Sequence, residues 1–254
     1  MVLVTGGAQR IGRAIALELG LAGWRVAVHY RQSSAEAAAL VQELGAVPVG
    51  ERGPSRAFGA DLADEIQCRA LVPQVKRAMG RIDALVNNAS LFEHDHAGDF
   101  SYANMERHWR TNTGAPVLLA QALHAAGGRA VVNVLDQKLW NLNPDHLSYT
   151  LSKAALEVAT RMLAMAFAPR TRVCGVAPGI TLTSTEMNAA EFAAAHRMTP
   201  LGRGSTAEDI ARAVRYLLEA PAVTGTTLLV DGGQHLSAQG RDVVFLARAA
   251  VQSN

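Results

Sequence analysis

The stretch VLVTGGAQRIGRAIALELGL, Val2 to Leu21, decides how this chain folds. Val2 to Thr5 is a short apolar run of the kind that forms a strand buried on both faces, and Ile11, Ala14, Ile15, Leu17, Glu18 and Leu21 continue at helical spacing. Between them lies Gly6-Gly7-Ala8-Gln9-Arg10-Ile11-Gly12. A glycine-rich turn from strand to helix lets the backbone approach a pyrophosphate and aims the positive end of the helix dipole at it. Gly6, Arg10, Ile11 and Gly12 are therefore candidate nucleotide contacts. A plain tight turn is the alternative, but the position between a first strand and a first helix favours the nucleotide.

The next apolar run, Arg25 to Tyr30, ends in Arg31-Gln32-Ser33. In a dinucleotide fold an acidic side chain at this point grips the adenosine ribose hydroxyls of NAD, and none stands here. Tyr30, Arg31 and Ser33, with Arg10 from the loop, instead suit a 2′-phosphate, because guanidinium matches phosphate geometry. The expected cofactor is thus NADPH/NADP.

Further strands follow at intervals: Arg56 to Ala60, Ala84 to Val86, Ala130 to Leu135, Thr171 to Ala177 and Thr226 to Val230, separated by helical patterns at 35–44, 65–79, 101–126, 149–162 and 207–218. Pro116 is expected to kink the long pattern that holds Asn112. Such βα alternation argues for a parallel sheet covered by helices on both faces, and Gly6, Asn87, Asp136 and Pro178 all fall just beyond strand ends, where such sheets bind ligands. Asp61 has two readings, a hydrogen bond to an adenine amine or a part in starting the next helix at Asp64. Thr181 to Met198 is rich in small residues and reads as an irregular lid. Gly240 to Asn254 either closes the pocket or packs on a neighbour.

With 49% hydrophobic and 18% charged residues, the 254-residue chain can bury a large core, and no linker or low-complexity tract divides it, so one domain over residues 1–254 is expected. A net charge of +2 carries no nucleic-acid or membrane footprint. The chain opens directly on a strand and holds no apolar run of membrane-spanning length, so a cytoplasmic protein is expected. Cys68 and Cys174 have no metal-like spacing. Glu93-His94-Asp95-His96 lacks further ligands and reads as a solvated loop, so no metal is expected.

The chemistry is expected in DQKLWNLNPDHLSYTLSK, Asp136 to Lys153. If a helix runs from Pro144 through Leu151, Ala154, Ala155, Val158, Ala159 and Met162, Tyr149 and Lys153 lie one turn apart on one face. A phenol titrates near ~10, and a neighbouring ammonium would lower that value toward use as an acid or base. Alone, this pair is equally a surface tyrosine and lysine.

TGGAQRIG at Thr5 to Gly12, DL at Asp61-Leu62, NNA at Asn87 to Ala89, Asn112, YTLSK at Tyr149 to Lys153 and PG at Pro178-Gly179 together make the case stronger. In this order and spacing the chain resembles the short-chain dehydrogenase/reductase family over nearly its whole length. The resemblance implies an α/β Rossmann-type three-layer sandwich with a seven-stranded parallel sheet, assembled as a homotetramer. It also implies that Tyr149 handles a proton, Lys153 holds the nicotinamide ribose and lowers the tyrosine pKa, and Asn112 anchors a relay water. Cofactor contacts carried over are Asp61, Leu62, Asn88, Ala89, Tyr149, Lys153, Pro178, Gly179 and Thr181.

Three departures narrow the resemblance. Arg10 replaces the usual middle glycine, Ser90 follows NNA where glycine is usual, and Asp136 stands 13 residues before Tyr149 in place of a catalytic serine. All three are shared with the pteridine reductases and the related dihydromonapterin and dihydrofolate reductases, whose aromatic after NNAS stacks the pterin as Phe92 would here. Phe92 also has a core-packing reading, and Asp136 a reading as a mere turn cap. The implied substrate is a small pterin-like heterocycle held by Arg10, Ser90, Phe92, Asp136 and Tyr149. The alternatives are a carbonyl reductase such as a 3-oxoacyl reductase, or a non-catalytic NADP-binding regulator.

Overall fold

The computed structural model describes residues 1–46, 53–183 and 187–252. Seven strands form one parallel sheet in the order β3-β2-β1-β4-β5-β6-β7: β1 Val2–Val4, β2 Val26–Tyr30, β3 Arg56–Gly59, β4 Ala84–Asn87, β5 Ala130–Val134, β6 Arg172–Pro178 and β7 Thr227–Val230. The helices are α1 Arg10–Leu21, α2 Ser34–Gly45, α3 Glu65–Met79, α4 Tyr102–Trp109, α5 Ala115–Ala125, α6 Leu147–Phe167, α7 Ala189–Arg197, α8 Ala207–Glu219 and α9 Val243–Gln252.

Strand alternation supplies both cores. Val2, Val4, Val26, Val28, Val86 and Val132 point to the face covered by α1, α2 and α8, whereas Leu3, Ala27, Leu85, Val131 and Val173 point to the face covered by α3, α5 and α6. Because both faces are buried, the strands read as continuous apolar runs, and each fully buried Val or Leu contributes about 1.5–3 kcal/mol over an exposed one. β1 sits between β2 and β4, so chain direction across the sheet reverses beside it and a crevice opens at the carboxyl ends. No helix among the described residues is long and apolar enough to cross a membrane.

The structure departs from the sequence expectations in four places. The long 101–126 pattern is two helices joined by a wide π turn at Arg110–Gly114, since Pro116 has no N–H to return to the carbonyl of Asn112. The helix of Tyr149 begins at Leu147, three residues after Pro144, with His146 left-handed at its N-cap (φ 56°) and a 3₁₀ turn at Gln137–Trp140 ahead of it. The stretch 181–198 is not irregular throughout, because Asn188 and Glu191 form a reciprocal capping box that starts α7; residues 184–186 of it lie outside the described residues. The tail forms α9, which packs Val243, Val244 and Ala247 against Ala194 and Ala195 of α7, with residues 253–254 outside the described residues.

Gly12 shows how closely the first turn is packed. A Cβ there would overlap the Gly6 carbonyl and come within 2.5 Å of the Asn88 amide nitrogen. Gly12→Ala is expected to lower folding stability by roughly 1–3 kcal/mol through overpacking, as measured by chemical denaturation.

Candidate active site

The crevice encloses about 590 Å³ between the β1–α1 loop and the ends of β4, β5 and β6. At one end, Thr5 ties the two strands that border the switch point. Its hydroxyl donates to Val86 O (3.3 Å) and accepts from the backbone N–H groups of Asn88 (2.9 Å) and Ala89 (3.0 Å). Asn88 returns its side-chain amide to Thr5 O (3.0 Å) and Gly6 O (3.1 Å). Gly6 adopts φ 59°, which only glycine takes without cost, and Gln9 at the N-cap of α1 offers no side-chain hydrogen bond to the helix's first N–H groups.

His29 is the residue that sequence reasoning left without a role. Buried in β2, it accepts from Gly6 N–H through Nδ1 (3.1 Å) and donates through Nε2 to Ala60 O (3.0 Å), so it holds the loop to the end of β3. Burial lowers its pKa and favours this neutral form. The signal was there: a polar ring in an otherwise apolar buried strand needs two partners. The same alternation removes Tyr30 from the crevice. Tyr30 packs with Val26 and Val28 on the opposite face, its ring against Gly59, and does not line the crevice as expected.

Arg31 and Ser33 line the crevice just beyond β2, and Arg31 makes no ion pair among the described residues. Asp64, rather than Asp61, caps α3 by accepting from Ile66 N–H (2.8 Å). Asp61 closes a turn on Ala63 N–H (2.9 Å) and faces the crevice beside Leu62. Ile11, Gly12, Ala89, Pro178 and Gly179 complete this wall, with Thr181 bonded to Gly179 O (2.8 Å). Arg10, at φ 53°, donates to Thr183 O (2.9 Å) across the crevice. An uncapped helix start, a glycine cradle with no room for a Cβ and an unpaired arginine fit a dinucleotide with an extra phosphate.

At the other end of the crevice Asp136 follows β5, with one oxygen accepting from Lys138 N–H (2.8 Å) and the other from the Tyr149 hydroxyl (2.7 Å). Both readings of Asp136 are therefore realised, cap and phenol partner. Lys153 donates to Val134 O (2.8 Å) and lies 5.8 Å from the Tyr149 ring centroid. Phe92, 45% exposed, lies perpendicular to the Tyr149 ring at 4.7 Å, stacks on His146 at 4.3 Å and lines the crevice. Ser90 lines the same wall.

The electrostatics reverse one expectation. Burial, then the adjacent Asp136 carboxylate, holds the Tyr149 phenol well above its ordinary value instead of below it. Burial likewise raises Asp136, against the hydrogen bonds from Lys138 N–H and Tyr149, and it lowers Lys153 to about 8. Lys153 reaches the Val134 carbonyl rather than the phenol oxygen, so the carboxylate outweighs it.

Asn112 is not brought to the crevice. Its side chain is consumed by Leu91 N–H (2.7 Å), Leu91 O (2.9 Å), the Ser90 hydroxyl (3.2 Å) and Ser152 Oγ (3.0 Å), and it clamps the loop after β4 to α6. The 93–96 loop is not simply solvated either. Asp95 is buried, accepting from Ser148 N–H (2.9 Å), Asn104 Nδ2 (2.9 Å) and the Ser148 hydroxyl, and it fixes the first turn of α6. No cluster of potential metal ligands exists among the described residues. The sequence gives Lys138 no place at the crevice it lines, and of the two readings of the tail, Asp242, Val243 and Val244 take the one at the crevice, where Val243, Val244, Ala247 and Val251 carry a readable helical period.

A family model described as enoyl-(acyl carrier protein) reductase, of the short-chain dehydrogenase/reductase type, matches residues 6–235. A solved structure of FolM alternative dihydrofolate reductase 1 from Brucella suis, in complex with NADP, is 41% identical with a TM-score of 0.87, covering 95% of this chain and 97% of that one. Pteridine reductase 1 of Leishmania tarentolae is 31% identical over 284 residues, 93% of this chain and 96% of its own. The 3-oxoacyl-[acyl-carrier-protein] reductase of Synechocystis is 30% identical over 244 residues, covering 92% and 96%. With the sheet order, the glycine turn and the Tyr149–Lys153 pair all in place, the chain belongs to the short-chain dehydrogenase/reductase family.

Proposed function

We propose that this chain is an NADPH-dependent reductase of a pterin or dihydropteridine, of the dihydrobiopterin, dihydromonapterin or dihydrofolate type, acting on a C=N bond. The observation that carries this reading is the 2.7 Å hydrogen bond from Tyr149 to Asp136 in the crevice that Phe92 also lines. A ketone oxygen placed there would meet a carboxylate, whereas the amino and ring N–H groups of a pterin donate to one. The NADP complex of the Brucella relative and the name of the Leishmania relative agree with it.

Bound NADPH would supply a hydride to the carbon of the C=N bond. Gly6, Ile11, Gly12, Asn88, Ala89, Pro178, Gly179 and Thr181, which line the crevice wall, would hold its backbone, Asp61 and Leu62 its adenine, and Arg31, Ser33 and Arg10 its 2′-phosphate. Lys153 sits where its ammonium reaches a ribose hydroxyl. Phe92 holds the flat substrate in stacked contact, and that orientation supplies much of the rate. Tyr149 and Asp136 share the proton that the ring nitrogen gains. Burial and the Asp136 carboxylate keep the proton on the Tyr149 phenol at neutral pH, and the basicity that the ring nitrogen gains during hydride transfer would draw it off. Of the expected lid, Thr181 and Leu182 line the crevice, and α7 would complete the cover behind them. The homotetramer that the family implies would cover the exposed stripe Leu151, Val158, Met162 and Met165 on α6.

NADPH oxidation with 7,8-dihydrobiopterin, 7,8-dihydromonapterin and dihydrofolate tests the substrate class; turnover of a 3-oxoacyl substrate or simple ketone and of no pterin sinks it. Tyr149→Phe and Asp136→Asn are each expected to cut kcat by about 10²–10⁴ while NADPH still binds, as read by steady-state kinetics and cofactor fluorescence. Wild type should bind NADPH far more tightly than NADH, and Arg31→Ala should weaken NADPH roughly 10- to 100-fold without changing NADH, by fluorescence titration. Since Lys153 is charged below about 8 and neutral above it, kcat/KM should hold through neutral pH and decline as pH rises past that value.

A further inference from the structure

Lys138 stands between two carboxylates, one two residues before it and one from the C-terminal tail. Its backbone N–H donates to Asp136 Oδ1 at 2.8 Å, and its ammonium pairs with Asp242 Oδ2 at 2.9 Å while also donating to Asn143 Oδ1. The Lys138 side chain is 3% exposed and that of Asp242 15%, and both line the crevice. Each charge this deeply placed depends on the other, because a lone one would be left without water or partner.

Asp242 is itself fixed from both sides. Its Oδ1 accepts from Val244 N–H (3.1 Å) and its backbone N–H donates to Asp145 Oδ2 (2.8 Å), while the adjacent Arg241 pairs with Asp145 through Nε and Nη2, both at 2.9 Å. Gln239 N–H adds a bond to Asn141 Oδ1 (2.9 Å). The tail is thus fastened just after Asp136, at Lys138, and just before Tyr149, at Asp145. Val243 and Val244 then close the substrate end.

We propose that Lys138 and Asp242 are positioning residues for the reaction: through Lys138, the C-terminal segment fixes the place and the electrical surroundings of Asp136. This inference rests on the reading of Asp136 as the proton-handling carboxylate. The groups that act on Asp136 are Tyr149 and Lys153 from α6, the Lys138 N–H from the 3₁₀ turn and Asp242 from the tail; His146 at the N-cap of α6 and the Asp145–Arg241 pair face Lys138 and Asp242. Arg248–Glu191 (3.5 Å) lies farther back, between α9 and α7. The Asp242 charge favours the protonated forms of Asp136, Tyr149 and His146, and the Lys138 charge disfavours that of His146. Removing one partner therefore exposes the charge of the other, with opposite sign.

The test uses the full chain with NADPH and 7,8-dihydrobiopterin, or the related dihydropterin that wild type reduces, comparing Asp242→Asn, Lys138→Met and the double variant, each confirmed as folded by its melting curve. If Lys138→Met does not fold, Lys138→Gln replaces it, since glutamine can still donate to Asn143 and Asp242. The acidic limb of kcat, where Asp136 takes up a proton, should move down by roughly one unit in Asp242→Asn and up by a similar amount in the lysine variant, and return near wild type in the double variant. Shifts of the same sign, or losses of kcat without a change of profile that the double variant does not restore, mean that the pair only docks the tail and overturn the inference. Unchanged profiles in all three, with kcat lost in Asp136→Asn, also overturn it and leave the proposed reductase standing. Undiminished turnover by Asp136→Asn, or no dihydropterin reduced by wild type, removes the reading on which it rests and the inference with it.

Discussion

A carboxylate and a phenol withdrawn together from bulk water must satisfy each other, and the hydrogen bond from Tyr149 to Asp136 does this at 2.7 Å. Burial raises both pKa values, so a proton is retained at the bottom of the crevice near neutral pH. Lys153 does not undo this, because its ammonium is committed to the Val134 carbonyl one strand end away.

Much of the fold serves to hold the pair in place. Asp136 is carried on the end of β5, a strand buried over its whole length, and Tyr149 on the first turn of α6. That first turn is fixed from outside by the buried Asp95, which takes the Ser148 N–H and hydroxyl, and by the Asn112 amide, which spans the loop after β4 and Ser152. Asn112 can do this because the π turn around it offsets α4 from α5. At the other end, Thr5, Asn88 and His29 join three strand ends into one wall around the glycine turn.

The substrate end is built differently. Val243 and Val244 of α9 line it, and α9 is backed by α7 through a small apolar cluster separate from the two main cores. Polar pins, Lys138–Asp242 and Arg241–Asp145, join this unit to the rest. Apolar contact holds the two helices as one body, and ion pairs set where that body sits over the crevice.

The fold class was legible because a parallel sheet buried on both faces writes itself as apolar runs at regular intervals, and the glycine turn after β1 marks the switch point directly. Asp136, Tyr149 and Lys153 were legible for a similar reason: spacing along one strand end and one helix turn places them before any long-range contact is considered. What sequence could not reach was every quantity that depends on partners distant in the chain. The phenol was expected to be lowered by its lysine neighbour and is raised by a carboxylate instead; Asn112 was expected at the crevice and is consumed by Leu91 and Ser152; Tyr30 faces the wrong side of β2. The sequence left the tail to cover the pocket or a neighbour, and only the tertiary structure, by burying Lys138 against Asp242, brought Asp242, Val243 and Val244 to the crevice.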